Sequence, residues 1–193
     1  MAKGRPRKIG VKRTKSGAIS RAAGAYNENA DAIELRMRVF GLTEKEARDQ
    51  KASTYVGRLC LAGLRNSTDG VSEAQYDAAT AYLEAYANFK RAVKSPDALA
   101  TGSGGAGGAE GPGYEQWCRR AVSKWEGIQK AVYAEQEIHS HANMWAALDY
   151  VVGRDQQLPH MIGDLRLALN AIGHFLGIIP MPRKHLSRSD VAA

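Results

Sequence analysis

The stretch YEQWCRRAVSKWEGIQKAV, residues 114–132, indicates most clearly how this chain folds. Its apolar residues are separated by steps of three and four positions: Tyr114, Trp117, Ala121, Trp125, Ile128 and Val132. This spacing places them on one side of an α-helix and leaves the charged residues on the other sides. The stretch therefore predicts a long amphipathic helix that buries one face.

Other segments repeat the same periodicity along the chain. Two capping boxes, Thr43 with Glu46 and Ser72 with Gln75, mark helix starts, and Ser95-Pro96 is expected to end a helix. No segment alternates apolar and polar residues with a period of two, so no sheet is expected. Further helices are predicted at about 28–40, 43–50, 53–64, 72–93 and 160–176.

The fold class that follows is all-α, a multi-helix bundle with a disordered basic N-terminal arm and a glycine-rich internal linker. The linker prediction rests on residues 101–113, which read TGSGGAGGAEGPG. The two helical units either bury their apolar stripes against each other or against copies of the chain. The predicted divisions are an arm at 1–26, a helical unit at 27–95, a linker at 96–113, a second helical unit at 114–179 and a mobile tail at 180–193.

Length and composition exclude several classes of protein. The chain has 193 residues, of which 44% are hydrophobic and 24% are charged, as in ordinary globular domains. No apolar run is long enough for a membrane span, and no apolar segment typical of a secretory signal follows the basic N-terminus. Two cysteines, Cys60 and Cys118, are too few for a disulfide framework and suit a reducing compartment.

The net charge of +7 is concentrated at the N-terminus. The remainder of the chain holds 19 basic residues against 20 acidic ones. A basic segment without acids is typical of a polyanion partner, because each cation that neutralises a phosphate releases counterions. Residues 1–21 contain no acid and eight bases: Lys3, Arg5, Arg7, Lys8, Lys12, Arg13, Lys15 and Arg21.

The centre of this arm resembles an AT-hook, whose core is Gly-Arg-Pro. The matching residues are Lys3, Gly4, Arg5, Pro6, Arg7 and Lys8. The resemblance implies an extended backbone in a narrow minor groove, with Arg5 and Arg7 inserted into A·T-rich DNA. Two alternatives remain open: non-specific phosphate contact, or a tail that serves solubility or an acidic protein partner.

The segment Ile33–Leu64 has the helix order of a helix-turn-helix unit. In such a unit the start of the last helix reaches the base edges. Here that position holds Ser53, Thr54 and Arg58, with Lys51 available for a phosphate. Three short helices that only pack on one another explain the pattern equally well, and the acids of the second helix would repel DNA.

The tryptophan-bearing stripe has three interpretations. Trp117, Trp125, Ile128 and Val132 are predicted to form an oligomerisation or protein-interaction face. The same stripe equally fits the core of the chain. A platform on which unpaired bases stack is the third interpretation, since Arg119, Arg120 and Lys124 lie near the tryptophans.

No motif in the sequence names an enzyme, a cofactor or a metal. A phosphate-binding glycine-rich loop followed by lysine, a Gly-x-Ser-x-Gly elbow and a His-Glu-x-x-His zinc motif are all absent. His139 and His141 are two residues apart and point to different sides of a helix. We expect a non-enzymatic protein without cofactor or metal.

Four stretches resemble helical proteins of alphaproteobacterial phages and prophages. The resemblance transfers no role to an individual residue. The order of DNA-binding helices, oligomerising helices and basic tail also resembles a terminase small subunit. The stretches are GRPRK at 4–8, YVGRLCLAG at 55–63, VSEAQYDAA at 71–79 and DLRLALNAI at 164–172.

The sequence and these resemblances together predict a phage DNA-binding protein in the cytoplasm of a bacterial host. Its partner is double-stranded DNA, bound in part without sequence preference, and the specific role expected is DNA recognition in packaging or control of other phage DNA transactions. A homo-oligomer or a phage protein partner is also expected, and a membrane is not. The alternative is a helical scaffold or adaptor whose main ligand is another protein.

Overall fold

The computed structural model describes residues 12–20, 30–100 and 112–181. These residues contain seven α-helices and no strand, which confirms the predicted all-α fold. The chain divides into two compact units, residues 1–50 and 51–193, and each is described by itself.

The described residues of the first unit form two short helices, α1 (Ala30–Phe40) and α2 (Glu44–Arg48). The predicted capping box starts α2: the Glu46 amide donates to Thr43 Oγ1, and the Thr43 amide donates to the Glu46 carboxylate over 2.8 Å. Arg36 of α1 donates to the carbonyl oxygen of Ala47 over 3.0 Å and so ties the two helices together.

The described residues of the second unit form a bundle of five α-helices. They are α3 (Tyr55–Arg65), α4 (Glu73–Ala100), α5 (Pro112–Ile138), α6 (Met144–Ala147) and α7 (Ile162–Phe175). A π-helical turn, Leu148–Gly153, follows α6, and a 3₁₀ turn, Pro159–Met161, precedes α7. A further 3₁₀ turn, Gln50–Ser53, comes before α3.

The core of this bundle lies where α4, α5 and α7 pack against one another. The apolar stripes of these helices meet there, and α6 with the π-helical turn closes one side. Burial of these side chains is the main stabilising contribution, roughly 1.5–3 kcal/mol for each large one. The largest fully buried side chains are Ile128, Met144, Leu148, Leu165, Leu169 and Ile172.

The end of α7 has the predicted glycine termination. Gly177 adopts φ +71°, a conformation that glycine reaches without strain. The amides of Ile178 and Ile179 then donate to the carbonyl oxygen of Gly173, over 2.9 and 3.0 Å. Ile179 folds back so closely that a Cβ on Gly173 would lie 2.5 Å from Ile179 Cδ1, so a larger residue at this position would displace the Ile179 side chain.

The structure groups the helices differently from the sequence-based division. The predicted boundary at 96–113 separated α4 from α5, but these helices pack on each other within one unit. A linker that is flexible in composition is equally able to join two neighbours in a hairpin. Helix α4 also continues past Pro96 to Ala100. Proline removes only one backbone amide from the helix, and the residues after it have high helix propensity.

Among the described helices, none combines the length and the apolar character needed to cross a membrane.

Candidate nucleic-acid interface

The basic arm is described only in part. The hook-like residues lie outside the described residues, as does Arg21: Lys3, Gly4, Arg5, Pro6, Arg7 and Lys8. Residues 12–20, which were expected to be disordered, instead form a tight turn closed by a bridge between Arg13 and Ile19. The prediction of an arm disordered throughout is therefore wrong for this stretch.

Backbone hydrogen bonds hold this turn together. The Gly17 amide donates to the Thr14 carbonyl over 2.9 Å, and the Thr14 amide donates to the Ala18 carbonyl over 2.8 Å. Gly17 has φ +81°, which a hairpin of this length requires and which glycine provides. The local rules of turn formation therefore override the disorder that composition predicts.

One of the three cations of the turn closes it, and the other two have no partner among the described residues. Arg13 donates to the Gly17 carbonyl over 2.8 Å, so its guanidinium closes the turn. The side chains of Lys12 and Lys15 are exposed and form no hydrogen bond or ion pair with another described residue. Their charges are therefore available to a phosphate backbone.

The candidate helix-turn-helix residues are engaged within the chain. Lys51 Nζ lies 2.6 Å from Glu73 Oε1, and Arg58 donates to the Ala52 carbonyl over 3.2 Å. Thr54 is the N-cap of α3, where its hydroxyl oxygen accepts from the Gly57 amide over 3.1 Å. These contacts stabilise the start of α3.

Two further observations weigh against a base-reading role at this helix start. Asp155 accepts from the Tyr55 amide over 2.5 Å and places a carboxylate where a phosphate would otherwise bind. The division between the two compact units also falls between α2 and α3, inside the segment predicted as one motif. Of the four predicted residues, Ser53 and Thr54 are exposed, but the Thr54 hydroxyl already caps the helix.

Most of the predicted interaction face is core. Ile128 and Val132 are fully buried and Trp125 is 6% exposed, so this prediction is wrong for all three. Trp125 is enclosed by three aromatic rings of α4, whose centroids lie 5.0–5.8 Å away: Tyr82, Tyr86 and Phe89. The spacing on a single helix shows which apolar residues lie on one side. It does not show whether the same chain or another chain covers that side.

Trp117, the fourth residue of that face, borders an open groove between α4 and α5. The groove has a volume of about 150 Å³. Its floor is formed by two small, buried side chains, Ala85 of α4 and Ala121 of α5. Its other lining residues are Asn88, Trp117, Arg120 and Lys124.

The groove carries uncompensated positive charge. Arg120 is exposed, and neither Arg120 nor Lys124 forms an ion pair or hydrogen bond with any residue that the structure describes. By contrast, the neighbouring Arg119 lies 2.5 Å from Glu115. The open groove thus combines an aromatic ring, an amide and two unpaired cations.

The α5 side of the groove corresponds to the stacking platform that the sequence offers as one interpretation of the tryptophan stripe. The spacing of Trp117, Arg120 and Lys124 places all three along one side of α5. What the sequence does not provide is the pairing of α4 with α5, which brings Ala85 and Asn88 opposite them.

A second cavity, of about 210 Å³, lies beside the start of α4 and borders Arg166. In this cavity the guanidinium group of Arg166 already has hydrogen-bond partners within the chain. Arg166 Nε donates to the Gly70 carbonyl over 2.6 Å, and Nη2 donates to the Thr68 carbonyl over 2.7 Å. The side-chain amide of the neighbouring Gln75 donates to Asn170 Oδ1 over 2.9 Å. This cluster holds the loop before α4 against α7.

The titratable groups do not assemble a metal site among the described residues. No group of three histidine, cysteine, aspartate or glutamate side chains is close enough there to hold a metal ion. Burial, together with smaller contributions from the neighbouring Tyr86 and Asp149, raises the pKa of Tyr82 to about 12. Burial likewise raises the pKa of Tyr55, and Arg58 partly offsets this.

Comparison with known proteins gives no relative: no protein-family model, no curated protein and no solved structure matches the chain.

Proposed function

We propose that this protein is a non-enzymatic DNA-binding protein whose basic arm, residues 1–21, binds the phosphate backbone of duplex DNA. The observation that carries the proposal is the separation of charge along the chain. The arm has eight bases and no acid, and the remainder is close to neutral. A role in phage DNA packaging is supported only by the resemblance described above, and we propose DNA binding alone.

The described contacts agree with this separation. In the helical units, several cations are neutralised within the chain: Arg48 pairs with Glu44, Lys51 with Glu73 and Arg154 with Asp149. In the arm, Lys12 and Lys15 have no such partner among the described residues. Unpaired, clustered cations bind a polyanion without first breaking an ion pair.

Fluorescence anisotropy with labelled A·T-rich and G·C-rich duplexes over a salt series tests the proposal. If six or more arm cations contact phosphates, affinity falls roughly a thousandfold or more between 50 and 200 mM salt. Deletion of residues 1–21 is expected to remove most of the affinity and to flatten the salt dependence. A deletion that changes neither contradicts the proposal.

A matched pair of variants separates the hook from general charge. Arg5→Lys with Arg7→Lys keeps the net charge but loses the guanidinium groups that suit a narrow minor groove. If the hook resemblance is correct, this variant loses the preference for A·T-rich duplex and keeps the salt dependence. Lys12→Arg with Lys15→Arg, which also keeps the charge, is the control and leaves the preference unchanged.

We also propose a second function, that of a helical adaptor, because α1 has apolar side chains that are exposed. No residue of α1 is buried, and Leu35 and Val39, one turn apart, are 49% and 58% exposed. Apolar pairs of this kind are covered when a partner helix binds. Light scattering of the wild type and of Leu35→Glu tests this function: an oligomer that dissociates supports it, and a wild-type monomer opposes self-assembly.

A further inference from the structure

The groove between α4 and α5 has the size of a site for one planar group. Pockets for drug-sized ligands enclose about 300–1,000 Å³, whereas this groove encloses about 150 Å³. A single ring fits into such a space while the rest of its molecule stays outside. The alanines of the floor, Ala85 and Ala121, are both more than nine-tenths buried, so the depression is part of the packed helix pair.

One side of the groove is aromatic and held in place. Trp117 is partly exposed, and the ring of Tyr114 stacks against it with centroids 5.7 Å apart and an interplanar angle of 20°. Such stacking restricts the rotation of the indole ring. A ring that enters the groove therefore meets an aromatic surface whose orientation is already set.

The charges at the rim select for an anionic ligand. Arg120 and Lys124 are four positions apart, so their Cβ atoms lie about 5–6 Å from each other on one side of α5. Neither has a partner among the described residues. Asn88 on the opposite side adds an amide that both donates and accepts hydrogen bonds.

We propose that this groove binds one unpaired base of a single-stranded nucleic acid. The base stacks on Trp117, its edge faces Asn88, and the adjoining phosphates lie on Arg120 and Lys124. The inference rests on the proposed function, since it gives a DNA-binding chain a second site of different specificity. Base stacking combined with backbone cations is the general mode by which proteins hold single strands.

A duplex is the poorer occupant because its bases are stacked on one another and their faces are covered. An aromatic ring recessed beside a helix pair reaches a base only where the strand is unpaired. An acidic peptide would satisfy the two cations but offers no planar ring unless it carries an aromatic residue. The chemistry of the rim and the floor together therefore favours the single strand.

The test is fluorescence anisotropy of the full chain with labelled oligo(dT) and oligo(rU) at fixed, near-physiological salt. Trp117→Leu keeps an apolar helix-forming side chain and removes the stacking surface. We expect it to weaken binding by about fivefold to a hundredfold. Arg120→Gln with Lys124→Gln should also weaken binding and reduce the salt slope by about 1.4, or 0.7 for each phosphate contact.

Matched controls lie on the same helix. Tyr133→Leu removes an aromatic ring that is 58% exposed, and Lys130→Gln removes an exposed cation that does not line the groove. Both are expected to change the affinity for oligo(dT) by less than about twofold. Circular dichroism of each variant verifies that the bundle remains folded.

Three results overturn the proposal. The first is a wild type that binds neither oligo(dT) nor oligo(rU). The second is an equal loss of affinity in Trp117→Leu and Tyr133→Leu, or no loss in either. The third is a groove that binds poly-glutamate through Trp117 and Arg120 but not the single strands, which would assign it to an acidic peptide.

Duplex binding by the same variants separates this inference from the proposed function. If the arm alone binds duplex, the groove variants leave duplex affinity unchanged, and deletion of residues 1–21 removes it. A loss of oligo(dT) binding in Trp117→Leu with no duplex binding by the wild type would support the groove and contradict the arm. If the wild type binds duplex and Trp117→Leu leaves oligo(dT) binding unchanged, the result would support the arm and contradict the groove.

Discussion

Trp117 and Trp125 lie on the same side of α5, two turns apart, yet their surroundings differ. Trp125 is 6% exposed and enclosed by Tyr82, Tyr86 and Phe89 of α4. Trp117 faces Ala85 and Asn88 across an open groove. The residue type and the helix are the same, so the difference arises from the size of the side chains that α4 places opposite each ring.

This comparison shows how one amphipathic stripe serves two purposes. Where large rings face each other, the helix pair is closed and the burial stabilises the fold. Where small side chains face a ring, the space between the helices is not filled and a depression remains beside the ring. Two cations of α5 without an ion-pair partner among the described residues, Arg120 and Lys124, border the depression, so positive charge accompanies the open part of the stripe.

The largest expected effect is on stability at the closed end. Trp125→Ala removes a buried ring from an aromatic cluster and should lower the free energy of unfolding by about 3–5 kcal/mol. Trp117→Ala should lower it by about 1 kcal/mol or less, because that ring is partly exposed. Urea unfolding followed by circular dichroism measures both, and equal losses would show that the two ends do not differ.

A second prediction applies the same contrast to cations. Arg166→Met removes the donors to the carbonyls of Thr68 and Gly70, so we expect the free energy of unfolding to fall by about 1–2 kcal/mol. Arg120→Met should change it by no more than about 0.5 kcal/mol, since Arg120 has no partner among the described residues. A larger cost for Arg120 than for Arg166 would make the groove cation structural.

The third and smallest effect concerns pH at the closed end. Burial raises the pKa of Tyr82 to about 12, above the ordinary value of 10.0. The folded protein therefore holds this proton more tightly than the unfolded chain does. The resulting stabilisation is complete below pH 10 and is lost as the pH rises to about 12.

Tyr82→Phe isolates this contribution because it removes the titrating hydroxyl and keeps the ring. Between pH 9 and pH 11 the wild type should lose more stability than the variant, as measured by urea unfolding at both pH values. Parallel loss in the two proteins would indicate that the Tyr82 hydroxyl is hydrated in the folded state.

Periodicity and capping signals predict most of the described helices, although not the short helix α6. The predicted segments 28–40 and 53–64 correspond to α1 (Ala30–Phe40) and α3 (Tyr55–Arg65), and the glycine that ends α7 was identified from its position. These features depend on neighbours along the chain. Pro96 and the turn at residues 12–20 are the local exceptions, because a single proline does not end α4 and composition does not reveal the hydrogen bonds of a turn.

The partners of each stripe could not be predicted, because they depend on residues far apart in the sequence. The stripe of Trp125, Ile128 and Val132 fits a core and an interface equally well until α4 and α7 are known to cover it. The groove at Trp117 has the same origin. The hook-like segment at 3–8 lies outside the described residues, and its role remains a prediction.

The central claim is that the open end of the α4–α5 pair binds nucleic acid and the closed end does not. Fluorine NMR of the full chain labelled with fluorotryptophan tests it directly, with the three tryptophan resonances assigned by single substitution. Addition of oligo(dT) should shift the Trp117 resonance and leave those of Trp125 and Trp145 in place. An unchanged Trp117 resonance at saturating oligo(dT), or equal shifts at all three tryptophans, would contradict the account.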